Sequence, residues 1–144
     1  MELTQEQIKS IAEELQMGMI VYANIKTKEI KPLPDFNNNI YAEEEMWEAD
    51  IKEIEENIDE YLVFENMSTG ESFRLMEEFA ETVKDRTLQN RLFNSLSRPK
   101  PFRHFNDIID NSGKNRDEWF AFKNSKYTEF VKDQLDRYNN KLSD

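Results

Sequence analysis

The sequence predicts a helix-dominated α+β fold, in which one small antiparallel sheet of three strands packs against about six helices. Three observations carry that expectation. Two β-rich runs lie close together near the start, Met19–Ile25 and Glu29–Leu33, and a third follows at Tyr61–Glu65. Helical apolar spacing recurs before and between them and then occupies about 72–140 without another strand-like run. A sheet of three short strands is not stable with a bare face, so the helices must cover it.

The elements follow in order. Thr4–Gln16 places Ile8, Ile11, Ala12 and Leu15 at i, i+3, i+4 and i+7, which is one helical face. Thr4 and Gln7 have capping-box spacing, and Gly18 stands where such a helix stops. Lys26-Thr27-Lys28 then links two strands as a hairpin turn, although no glycine supplies a positive φ. Pro32 has no N–H to donate, so the second strand belongs at a sheet edge or ends there. Residues 34–39 read as a loop.

Trp47, Ile51, Ile54 and Ile58 repeat at i, i+4, i+7 and i+11, so the segment 43–60 is expected as one acidic amphipathic helix. After the third strand, Ser68 and Glu71 repeat the capping-box spacing. They open a helix expected to turn Phe73, Met76, Phe79, Ala80 and Val83 inward. Asp85 caps the next helix, 87–97, with Leu88, Leu92 and Leu96 on one face. Arg98-Pro99-Lys100-Pro101 breaks the chain, and Pro101 suits the first position of another helix carrying Phe102, Phe105, Ile108 and Ile109. Asn111-Ser112-Gly113 ends it. A last helix over 116–140 carries Trp119, Phe122, Phe130, Val131, Leu135 and Tyr138, with a kink expected near Asn124-Ser125 where the stripe changes phase. With 144 residues, 38% of them apolar, a single domain spanning 1–144 is expected.

Composition removes whole classes of chemistry. There is no cysteine and one histidine, so disulfides and the usual cysteine-containing zinc sites are excluded. The three glycines, Gly18, Gly70 and Gly113, are too far apart for a phosphate-cradling loop. The start of the chain is acidic where an export signal is basic and apolar, and no run approaches a membrane span of ~18 apolar residues. A cytoplasmic location follows by elimination.

Charge is unevenly distributed. The net charge is −11, and residues 43–60 alone hold ten acids against one base. From 86 to 106 there are five bases and no acid. This gives two candidate surfaces. Glu44, Glu45, Glu48, Glu55 and Glu56 form an acidic face for a protein partner. Arg98, Lys100, Arg103 and His104, downstream of Arg86 and Arg91 and interleaved with Phe102 and Phe105, form a basic one. The bland alternative is that the bases pair with the acidic segment or with water. A helical run of carboxylates also falls short of a hard-cation site, which gathers six or more oxygens on a loop.

Further candidate binding residues are Arg74, Glu78, Trp119 and Phe120. Arg74 and Glu78 sit at i and i+4, the ordinary spacing of a surface ion pair. Trp119 and Phe120 cannot both face one core, so one of them covers a sheet edge or marks a docking groove.

Three stretches in order, Phe73-Arg74-Leu75-Met76-Glu77-Glu78-Phe79, Pro101-Phe102-Arg103-His104-Phe105 and Asp117-Glu118-Trp119-Phe120-Ala121-Phe122, make the chain resemble the bacterial uncharacterised protein family 0158. The resemblance covers about 19–140. Lys28 departs from it, standing in the hairpin turn where a glycine is expected, and residues 36–50 follow no family pattern. The resemblance implies a bacterial source and brings no activity, cofactor or catalytic residue.

On these grounds no catalytic residue, cofactor or metal site is assigned, and the balance leans away from an enzyme. The leading expectation is a non-catalytic interaction or regulatory module that binds a protein partner through its charged surfaces. The alternatives are a small-ligand binder or hydrolase-like enzyme with a pocket near Arg103, His104 and Trp119, and nucleic-acid contact through 86–103. Overall acidity makes the last unfavourable.

Overall fold

The structure is a computed structural model that describes residues 1–37 and 42–143. Its elements run α1 (Gln5–Gln16), β1 (Met19–Asn24), β2 (Ile30–Pro34), α2 (Glu48–Glu56), β3 (Tyr61–Phe64), α3 (Thr69–Thr82), α4 (Arg86–Leu96), α5 (Pro101–Asp110) and α6 (Lys114–Ser143). The helix-dominated α+β class therefore holds. The chain divides into two compact units, Met1–Asn66 with the chain from Tyr127 onward, and Met67–Lys126.

The first unit contains the sheet, in the order β2-β1-β3, antiparallel throughout. Pro32 lies in β2, an edge strand, where its missing N–H leaves no ladder bond unmade. Val21, Ala23 and Phe64 are completely buried, and α1 lies along β1 and β2 with Ile8, Ile11, Ala12 and Leu15 turned inward. Thr4 and Gln7 form the capping box read from their spacing.

The hairpin turn is organised by a residue that the sequence reading overlooked. Asn24, buried at the end of β1, accepts hydrogen bonds on its side-chain oxygen from the backbone N–H groups of Lys26 and Thr27, both at 2.9 Å. Side-chain bonding of this kind lets asparagine nucleate a turn without glycine. The positive φ falls on Lys28 itself, at 66°. The expected loop that follows, 34–39, begins within β2 at Pro34, and residues 38 and 39 are outside the described residues.

The acidic segment corrects the expectation of a single helix over 43–60. It is a 3₁₀ turn at Glu44–Trp47, then α2, then a second 3₁₀ turn at Ile58–Glu60. Like-charge i,i+4 pairs explain the breaks, since Glu44 and Glu48 straddle the first junction while Glu55/Asp59 and Glu56/Glu60 straddle the second. Asn57 closes α2, its side-chain N–H₂ donating to the Glu53 carbonyl at 2.9 Å. Trp47, Ile51 and Ile54 pack with Tyr22, Leu33 and Tyr61 on the sheet, whereas Ile58 is left 49% exposed.

The second unit is helical, with an aromatic centre. Phe79 of α3, Phe105 of α5, and Trp119 and Phe122 of α6 stack and tilt against one another, with ring centroids 5.2–6.3 Å apart. Such pairs add roughly 0.5–1.5 kcal/mol each beyond area burial. In α3 the inward side chain is Leu75 together with Met76, Phe79 and Ala80, and the expected Phe73 is only half-buried. Ser68 and Asp85 cap α3 and α4 as expected. The Gln89 side chain donates to the Ala80 and Glu81 carbonyls at 3.0 and 3.3 Å, fixing the start of α4 on the end of α3. Lys100, in the turn before α5, takes a left-handed conformation with φ 55°, and Pro101 opens the helix.

The chain does not break at Asn124-Ser125, where a kink or break was expected: α6 is one helix of 30 residues. Both residues are exposed, so each costs only its modest helix propensity. The change of stripe has another cause. Residues up to Lys126 belong to one unit, with Trp119 buried, and those from Tyr127 belong to the other, with Tyr127, Val131 and Leu135 buried. Within that first unit the Gln134 amide bonds the Glu65 N–H and carbonyl, both at 3.0 Å, and Asn139 accepts from the Met1 amino group at 2.7 Å.

Candidate functional sites

Two clefts, one lined by residues of each unit, differ in chemistry. The cleft of the first unit lies between the sheet and α2, with a volume of about 300 Å³. Strand alternation turns Ile20 and Tyr22 to the same face as Leu33, and α2 brings Ile51 and Ile54 down to meet them. Pro34 and Phe36 complete a carbon floor. Asp35, Glu44 and Glu55 stand around it. Burial pushes the Tyr22 hydroxyl above its ordinary pKa, assisted by the negative fields of Asp35, Glu55 and Glu65. The site is a hydrophobic recess with an acidic rim.

Beside it lies a polar cluster that holds α2 to the sheet. The Tyr61 hydroxyl donates to the Glu53 carboxylate, and the Lys31 ammonium reaches the same carboxylate at 3.2 Å and Asp50 at 3.7 Å. The Tyr61 bond lowers the Glu53 pKa; desolvation opposes it, and the Lys31 hydrogen bond and charge add to the lowering. Desolvation, followed by the Glu53 bond, raises that of Tyr61. Desolvation pulls Lys31 down, but the hydrogen bond and charge of Glu53, with Tyr61 and Glu29, leave it raised overall.

Of the five carboxylates expected on the acidic face, Glu44 and Glu55 line the cleft. Glu45 and Glu48 are exposed outside it, and Glu56 meets Lys52 at 4.0 Å. The ion pairs of the acidic segment are made within its own unit, to Lys26, Lys31 and Lys52. Among the described residues, neither Glu44 nor Glu55 has an ion-pair partner. Tyr22, Asp35 and Phe36 were not foreseen; the period-2 placement of Ile20 and Tyr22 was the available signal.

The second cleft lies between α4 and α5 and holds about 270 Å³. Arg91, Asn94, Ser95 and Arg98 reach it from positions i, i+3, i+4 and i+7, one face of α4 and its end. From α5 come His104, Asp107 and Ile108. Thus Arg98 and His104 line one cleft. Lys100 and Arg103 are exposed and do not line this cleft, and Trp119 is 2% exposed within the aromatic centre. The expected grouping of Arg103, His104 and Trp119 around one pocket is therefore replaced by Arg91, Arg98 and His104. Arg91, Asn94 and Asp107 carry a helical spacing that was readable in the sequence.

The remaining candidates resolve into local contacts. Glu78 meets Lys126 at 3.8 Å rather than Arg74, which is exposed on α3. Phe120 is half-buried next to Trp119 on α6, with the Arg116 guanidinium 4.7 Å and the Lys123 ammonium 4.9 Å from its ring centroid; the same ammonium lies 5.5 Å from the Trp119 ring. This cation–π cover answers how two adjacent aromatics can share one helix. Among the described residues no three His, Asp or Glu side chains gather as metal ligands, and no helix is long and apolar enough to cross a membrane.

A helix-dominated α+β fold carrying these two charged clefts does not by itself name a chemistry. By sequence the chain is a member of uncharacterised protein family UPF0158, whose profile matches residues 35–142. The match starts just beyond the β1–β2 hairpin, which the resemblance had included. No curated protein and no solved structure gives a match.

Proposed function

We propose that this chain is a non-catalytic interaction module, acting in the bacterial cytoplasm, that binds a basic protein segment through the cleft between the sheet and α2. What supports the reading is one observation: a floor of Ile20, Leu33, Pro34, Phe36, Ile51 and Ile54 bordered by Asp35, Glu44 and Glu55. A solvated acidic face needs no carbon floor. A partner that inserts one apolar side chain and flanks it with Lys or Arg satisfies both parts at once. The carboxylates steer the encounter and select the partner, and the floor supplies contact area.

The test is capture of partners from bacterial lysate by wild type and by a Glu44→Gln/Glu55→Gln variant, at about 0.05 M and about 0.5 M salt. The reading expects the same basic protein to be retained by wild type at low salt, and lost both at high salt and in the variant. Retention by the variant at wild-type level would sink it.

A further inference from the structure

We infer that the α4–α5 cleft is a separate binding site for a small phosphorylated, hydroxyl-bearing metabolite. Arg91 and Arg98 hold its phosphate monoester, and Asp107 accepts from one of its hydroxyl groups. Two guanidiniums and an imidazole enter one recess, yet among the described residues no carboxylate lies within ion-pairing distance of Arg91 or Arg98. Arginine presents planar paired donors that match phosphate oxygens, and two of them, one on α4 and one just past its end, can share a tetrahedral anion in the recess they both line.

The other lining groups narrow the ligand. Asp107 repels a phosphate oxygen but accepts readily from an O–H, so the ligand carries a hydroxyl as well as an anion. The amide of Asn94 can serve either part. Ser95 is committed, its hydroxyl donating to the Leu92 carbonyl at 2.6 Å, so it contributes shape rather than recognition. A volume of about 270 Å³ falls just under the roughly 300–1,000 Å³ of ordinary small-ligand pockets. That size suits a sugar phosphate.

A nucleic-acid backbone is the less favoured occupant. Polyanion binding rests on several cations along one track, and Asp107 interrupts this one while Arg103 and Lys100 lie outside the lining.

The experiment is a side-chain NMR titration of the arginine Nε–H groups and the His104 ring in the full chain. The probes are inorganic phosphate, a hexose 6-phosphate, the unphosphorylated hexose and a single-stranded oligonucleotide. The hexose phosphate should shift the Arg91, Arg98 and His104 signals at lower concentration than inorganic phosphate does, and the hexose alone should not shift them. Arg91→Gln and Arg98→Gln, both at exposed positions, should each weaken it by roughly tenfold or more. Asp107→Asn should erase the preference for hexose phosphate over phosphate. The proposal is overturned if millimolar hexose phosphate leaves those signals unmoved, if both arginine variants bind like wild type, or if the oligonucleotide competes more strongly.

Discussion

The acidic recess between the sheet and α2 and the basic recess between α4 and α5 are built from opposite ingredients. The acidic segment has ten carboxylates in 18 residues, and its own unit answers several of them: Lys31 takes Glu53 and Asp50, Lys26 takes Glu60, and Lys52 takes Glu56. Of the six left without an ion pair among the described residues, Glu44 and Glu55 stand over carbon. In the basic recess the charges are fewer, but the two guanidiniums have no carboxylate in ion-pair range among the described residues, and most of the side chains lining it are polar. The contrast teaches that charge density in a sequence does not rank sites. What ranks them is the charge left over after local pairing, and the surface it borders.

The comparison can be broken from either side, and the largest effects come from the cores beneath the clefts. Trp119→Ala removes the centre of the aromatic cluster that holds Phe105 on α5. It should cost about 3–5 kcal/mol in chemical denaturation, and the phosphate response of the α4–α5 cleft should vanish with it. On the acidic side, Ile54 is 3% exposed and carries the floor. Ile54→Ala should cost about 2–5 kcal/mol.

Smaller changes sharpen the contrast without removing a core. Asp85 accepts from the Thr87 and Leu88 N–H groups at 3.0 and 3.3 Å, capping the helix that carries Arg91 and Arg98. Asp85→Ala should cost about 1 kcal/mol, read as a lower midpoint in urea. On the acidic side the corresponding device is titratable. Because the folded state lowers the Glu53 pKa below 4.5, its contribution is complete above pH 4.5 and is lost as pH falls through the lowered value. Tyr61 is the mirror case: raised above 10.0, its contribution is complete below pH 10 and fades as pH climbs through the raised value. Glu53→Gln should therefore flatten the acid limb of a stability–pH profile, and Tyr61→Phe the alkaline limb. The least effect on stability belongs to Glu44→Gln/Glu55→Gln, within about 0.5 kcal/mol of wild type by thermal melting, although this is the pair that should remove partner binding.

Most of the scaffold could be read from local rules. The three caps at Thr4, Ser68 and Asp85, the break at Arg98–Pro101 and the three strands follow from spacing and from proline. The errors arose where a local pattern is overruled by something beyond its window. The stripe over 43–60 has helical period, but mutual repulsion of carboxylates one turn apart divides it. The stripe over 116–140 changes phase because α6 serves two units in turn, and a change of burial partner looks like a kink when only one face is counted. The candidate sites were half legible. Glu44, Glu55, Arg91, Arg98 and His104 could be nominated from charge, while Tyr22, Asp35 and Asp107 joined them only through the tertiary approach of separate elements. Trp119 and Phe120 show the same limit: the sequence posed the conflict between adjacent aromatics, and Arg116 and Lys123 resolve it.

The central claim is that partner binding depends on carboxylates over the carbon floor rather than on general acidity, and the most direct measurement is site-resolved photo-crosslinking in living bacteria. A crosslinking side chain is placed in turn at positions 44 and 55 in the cleft, and at positions 45 and 56, equally acidic in origin but outside it. The account predicts a discrete crosslinked species from 44 and 55, salt-sensitive in extract and carrying a basic segment at the junction, and none from 45 and 56. Equal labelling from all four positions, or none from 44 and 55, would contradict it.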